Sequence, residues 1–95
     1  MKVENMEGRS GKVANQFIVR ESNGDVYFQS YNSVIVKKTV EEDANGERRS
    51  RIYLDEKYWN YSVTTGKYRN KFLRETKKET EKKIANGEYK LVTLN

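Results

Sequence analysis

Apolar and polar residues alternate in short runs through the first half of the chain, and the period lengthens in the second half. The first clear period-2 run is Gln16 to Arg20, with Phe17 and Val19 on one side and Ile18 on the other. Ser22-Asn23-Gly24-Asp25 follows, and its Asn-Gly pair favours a tight hairpin because both residues tolerate positive φ. Val26 to Ser30 is the next strand, with Val26 and Phe28 opposite Tyr27 and Gln29. Tyr31-Asn32 makes a brief break before Ser33 to Val40, a third strand rich in β-branched residues. The segment EEDANGERR carries a second hairpin signal, Asn45-Gly46, with acids before it and bases after it. Arg48 or Arg49 can pair across this ribbon with Glu41 or Glu42. Arg51 to Leu54 returns as a fourth strand, so an antiparallel meander is predicted.

After Asp55-Glu56-Lys57 the period becomes helical. Ser62, Thr64 or Thr65 can cap a helix, since a hydroxyl there accepts from an orphan backbone N–H. Tyr68 and Phe72 stand four residues apart with Leu73 beside them, a stripe expected to face Trp59 and the sheet. Thr76-Lys77-Lys78-Glu79 has the form of a capping box, which implies a second helical segment or a kink. Asn86-Gly87 reads as a helix stop, and Tyr89 to Leu94 as a closing strand. Residues 1–14 contain two glycines and little apolar periodicity, and read as an N-terminal arm or a loosely attached edge. The prediction is an α+β fold with a single domain over residues 15–95. A meander of four to five strands, as a curled sheet or small open barrel, is packed by one helix or two short consecutive helices between its last two strands.

Two blocks carry a resemblance. YFQSYNSVIVK (Tyr27 to Lys37) contains an aromatic-x-Ser-Tyr-Asn-x-x-Ile pattern, and WNYSVTTGKYRNKFL (Trp59 to Leu73) contains Tyr-Ser-x-Thr-Thr followed by Phe-Leu. In these blocks the chain resembles a family of small uncharacterised proteins encoded by bacteriophages of gut bacteria and by their hosts. The resemblance covers most of residues 16–95 and implies a phage or mobile-element accessory protein, without implying an activity. The charged hairpin at 41–50 looks like an insertion relative to that family.

Composition narrows the chemistry. With 95 residues and 35% hydrophobic content, the chain has a small core to which its aromatic residues must contribute heavily. It has neither histidine nor cysteine, which removes the commonest general base, thiolate nucleophiles and the soft metal ligands. An enzyme is therefore not expected, nor a cofactor or metal. Glu75-Thr76-Lys77 has the Glu-x-Lys form of some metal-dependent nucleases, with Asp55 upstream, but it falls at a helix junction, not on a strand. The acidic run Glu41-Glu42-Asp43 lacks the spacing of a calcium loop and reads as solvated turn residues. No apolar run is long enough for a membrane helix, and there is no signal-peptide core, so a soluble cytoplasmic protein is expected, in the host cell if phage-encoded.

Charge is the strongest functional signal. Residues 1–31 carry four basic and four acidic groups, residues 32–61 six of each, and residues 62–95 nine basic and four acidic. The whole excess of +5 thus lies in the last third. On a continuous helix Lys67, Lys71, Arg74 and Lys78 fall on one face, flanked by Arg69 and Lys77, and such a row can track a nucleic-acid backbone. The plainer reading is a solvated surface helix. Tyr27, Tyr31 and Tyr53, sharing a sheet face with Lys37 and Arg51, would form a stacking platform for unpaired bases, or else pack under the helices. Thr64, Thr65, Gly66 and Lys67 would make an anion site at the helix start, or a plain cap with a permissive glycine; no P-loop is present, because Tyr61 stands at the earlier glycine position. Two functions follow. One is non-specific DNA or RNA binding through the basic helix. The other is a protein-interaction module that modulates a host defence or replication protein. Neither involves a membrane.

Overall fold

The computed structural model describes residues 1–95. Five strands, β1 (Lys2–Gly8), β2 (Gly11–Arg20), β3 (Val26–Ser30), β4 (Ser33–Glu42) and β5 (Arg48–Asp55), form an antiparallel meander. Two helices, α1 (Val63–Leu73) and α2 (Lys77–Ala85), then cross one face of the sheet. They deliver β6 (Tyr89–Val92) parallel to β5, as a helical crossover must if the chain is to re-enter in the same direction. The result is the expected α+β architecture with helices between the last two strands. Its six strands run in sequential order, and the sheet stays open, with β1 and β6 as its edges.

The strand beyond the predicted five, β1, comes from residues expected to form an N-terminal arm or a loosely attached edge. Lys2 to Asn5 pair with Arg20 to Phe17, a bulge intervenes before Glu7, and Arg9-Ser10 turn the chain into β2. Met6 is buried in the core, so this edge is packed into the fold. Gly8 is required by close approach: a Cβ there would stand 2.7 Å from a methyl of Val13 and 3.3 Å from the Tyr68 hydroxyl.

The core follows one row across the sheet, Ile18–Phe28–Val36–Leu54, on the face under the helices. Phe28, Val36 and Leu54 are fully buried, each worth about 1.5–3 kcal/mol of burial. Phe72 of α1 stacks on Phe28 with centroids 5.8 Å apart. Next to that contact, the Ser30 and Thr65 hydroxyls share a buried 2.8 Å hydrogen bond. The two sequence blocks that carry the resemblance therefore meet in space. Of the three candidate caps, Ser62 is the one used, its Oγ accepting from the Thr65 N–H at 3.1 Å. Thr76 and Glu79 complete the expected capping box of α2. Buried Asp55 ends β5 by accepting from the backbone N–H groups of Lys57, Tyr58 and Leu94, which fixes both the approach to α1 and the C-terminal tail.

Candidate functional site

The helical segment is broken where a continuous cationic row would have needed it straight. Arg74 caps α1 in the left-handed region, at φ 57° and ψ 45°, and its backbone N–H bonds back to the Asn70 carbonyl. This conformation costs a non-glycine residue about 1 kcal/mol. The break separates the predicted row. Lys67 and Lys77 line one hollow, beside the 60–63 segment, while Lys71 and Arg74 line another, between the helices and the sheet. Lys78 lies exposed on α2. Arg74→Gly should therefore stabilise the fold by roughly 0.5–1 kcal/mol in chemical unfolding while weakening any polyanion binding, the trade expected of strain kept at a working position.

Arg69 is the largest departure from the sequence reading. It is 1% exposed and does not flank the stripe in solvent. Its guanidinium lies over the Trp59 ring at 5.2 Å and donates to the Trp59 carbonyl at 2.6 Å, the Asn60 Oδ1 at 3.4 Å and the Asn70 Oδ1 at 3.0 Å. Burial pushes it below the usual arginine value, against the pull of the Glu75 and Glu81 charges. The spacing carried the signal: Thr65, Tyr68, Arg69 and Phe72 stand at i, i+3, i+4 and i+7, one face of a helix.

Most of the remaining cations of the segment have no ion-pair partner. Between residues 63 and 85 there are eight basic residues, and only Lys83 is in an ion pair. By contrast, the β4–β5 ribbon neutralises itself through Arg48–Glu42, Arg49–Asp43 and Arg51–Glu41. Lys71 donates to the Glu7 carbonyl at 2.6 Å, which ties α1 to β1 without cancelling its charge. Lys67 and Lys71 both lie near the Tyr68 ring, at 5.5 and 5.9 Å.

The tyrosines fall elsewhere. Alternation along each strand sends Tyr27 and Tyr53 away from the helices, in one cross-strand row with Lys37 and one pair away from Thr39–Arg51. They share the face foreseen from the sequence, but it is the face opposite the basic helices. Its charges are already matched: Lys37 faces Asp25 at 3.9 Å, Arg51 meets Glu41 at 2.7 Å, and the Tyr53 hydroxyl donates to Glu41. Tyr31 sits apart, in the β3–β4 turn at φ 55°.

The proposed helix-start anion residues are largely committed. The Thr65 side chain is buried against Ser30, the Thr65 N–H goes to Ser62 Oγ, and the Gly66 N–H goes to the Ser62 carbonyl. Thr64 and Lys67 remain exposed.

Glu75, at the α1–α2 junction, is a structural hub that the sequence reading did not foresee. Its carboxylate accepts from Tyr89 Oη at 2.6 Å and Lys83 Nζ at 2.9 Å on Oε1, and from Thr80 Oγ1 at 2.6 Å on Oε2, so both oxygens are engaged within the fold. Burial alone would push Glu75 up, but the hydrogen bonds from Thr80, Tyr89 and Lys83 outweigh it and hold the carboxyl below its ordinary value. Burial and the Glu75 contact push Tyr89 up to about 12, and the bond to Glu75 raises Lys83. The signs then set a two-sided pH profile. A depressed carboxyl contributes stability above its unfolded value, near pH 4, and loses it as pH falls through the folded value. A raised phenol contributes fully below about pH 10 and loses that contribution as pH climbs towards 12. Urea melts across pH should show both limbs, and Tyr89→Phe should flatten the alkaline one.

No helix is long and apolar enough to cross a membrane. A family model described as "Family of unknown function (DUF8033)" matches residues 1–87. No curated protein and no solved structure matches the chain.

Proposed function

We propose, for a chain that belongs to the DUF8033 family of unknown function, that it binds nucleic acid without sequence preference through the helix side of the sheet. The observation that carries the reading is the contrast in pairing: apart from Lys83, the cations of α1, α2 and their junction lack carboxylate partners, while the three arginines of the ribbon each pair with a carboxylate. Uncompensated cations on one side favour a polyanion by releasing its condensed counterions, with no base readout. The working residues are Lys67, Lys71, Arg74, Lys77 and Lys78; Arg69 acts from beneath the surface, and Tyr27, Tyr31 and Tyr53 are not part of the interface. No catalytic step is assigned, and the role is that of a phage-type accessory protein in the host cytoplasm. Gel shifts with single-stranded and duplex DNA and RNA test the reading. Retardation of all four at low salt is expected, and retardation of none counts against it.

A second reading, docking onto a host protein, has its own support. The hollow between the helices and the sheet, about 660 Å³, has Ile18, Val26, Ile52 and Leu73 in its lining, with Lys38 and Arg74 among its cations. A half-apolar trough whose cations outnumber its one acidic residue, Glu75, suits an acidic amphipathic helix. Capture of a host protein that survives nuclease treatment and is lost in Lys38→Glu/Arg74→Glu would favour this reading.

A further inference from the structure

We infer that the hollow beside the 60–63 segment, about 630 Å³, is a phosphate site built on the buried guanidinium of Arg69, and that it takes the phosphate monoester at the end of a nucleic-acid strand. The strand end rests on the proposed function above; the phosphate chemistry does not. Arg69 is buried with no carboxylate in contact, so only neutral oxygens, the Trp59 ring and the more distant Glu75 and Glu81 charges offset its desolvation, and a directly contacting anion would offset it further. Of its five N–H donors, three go to neutral oxygens, and Nε has no partner. Trp59 covers one side of the guanidinium. Gly66 lies against another side of the group: a Cβ there would stand 3.7 Å from Nη2 and 3.8 Å from Nη1, and a longer side chain would extend over it as a roof.

The rest of the hollow has the same polarity. Lys67 and Lys77 line it, both unpaired, and no acidic residue does. Asn60 and Asn70 turn their amide oxygens to Arg69, which leaves their NH₂ groups as further donors. Three cations and several donors with no opposing charge suit a dianion. A phosphate monoester carries close to two charges at neutral pH, whereas an internal phosphodiester carries one, so the strand terminus fits better than the backbone. Tyr61, in the lining and 46% exposed, packs edge-on against Tyr58 and keeps exposed ring surface for the terminal sugar or base.

The test compares three probes on the intact chain: inorganic phosphate against chloride at matched ionic strength, a 5′-phosphorylated single strand, and the same strand with a 5′-hydroxyl. Phosphate should raise the unfolding midpoint, and the phosphorylated strand should bind about tenfold tighter, the gain of one charge-assisted contact of ~1.4 kcal/mol. Both effects should vanish in Lys67→Glu/Lys77→Glu and in Gly66→Leu, which alter exposed cations and the roof and leave the Arg69 contacts in place. Equal affinity for the two strands with no phosphate effect on unfolding overturns the site while leaving nucleic-acid binding intact. Stabilisation by phosphate with no binding of either strand supports the site and overturns the nucleic-acid reading.

Discussion

Glu75→Ala is expected to destabilise the fold by about 3 kcal/mol, through the loss of three short hydrogen bonds to one buried carboxylate. The change leaves the largely buried Tyr89 hydroxyl without its acceptor and the Thr80 hydroxyl with only the longer bond to the Thr76 carbonyl, and it frees the junction that orients α2 against β6. For a domain of this size that corresponds to a fall in the thermal midpoint of more than about 10 °C. Lys83→Met, which removes the most exposed partner, should cost much less. Urea denaturation of the two variants side by side checks the ranking. An alanine variant as stable as its parent would mean that the junction is held by packing alone.

The second large effect concerns binding. Changing Lys67, Lys71, Arg74 and Lys77 together to glutamine should lower affinity for DNA or RNA by about 10²-fold at low salt, since each phosphate contact contributes roughly 0.9 to the salt slope. Changing Arg48, Arg49 and Arg51 to glutamine should change affinity far less, because those charges are spent on Glu42, Asp43 and Glu41. Fluorescence anisotropy on both sets separates a localised interface from a mere effect of net charge. Equal losses in the two sets would favour the latter.

Much of the fold was legible because its turns and caps are chemically explicit. Asn23-Gly24 and Asn45-Gly46 mark the two hairpins they were read to mark, and Thr76 with Glu79 forms the box its spacing implies. The first strand was not legible: an edge strand pairs on one side only, and Lys2–Gly8 buries a single residue, Met6, so little apolar periodicity is needed. The parallel entry of β6 follows from the helical crossover and leaves no mark of its own in Tyr89–Val92.

The candidate site was legible in charge and obscure in geometry. The excess of cations sat in the segment read as cationic, but a single left-handed residue, Arg74, divides them between two hollows. Arg69 was read by its charge type when its spacing from Thr65 and Phe72 turns it inward. The Tyr27–Tyr53 row depends on strand register, which sends it to the face opposite the helices. Glu75 draws its partners from positions 80, 83 and 89, on two elements, and no local pattern announces such a network.

Affinity for a single-stranded oligonucleotide, measured from low to physiological salt, bears most directly on whether the unpaired helix-side cations are the working surface. Four phosphates neutralised there give a log–log slope of roughly −3 to −4. A slope near zero, or one left unchanged by removing Lys67, Lys71, Arg74 and Lys77, would contradict the account.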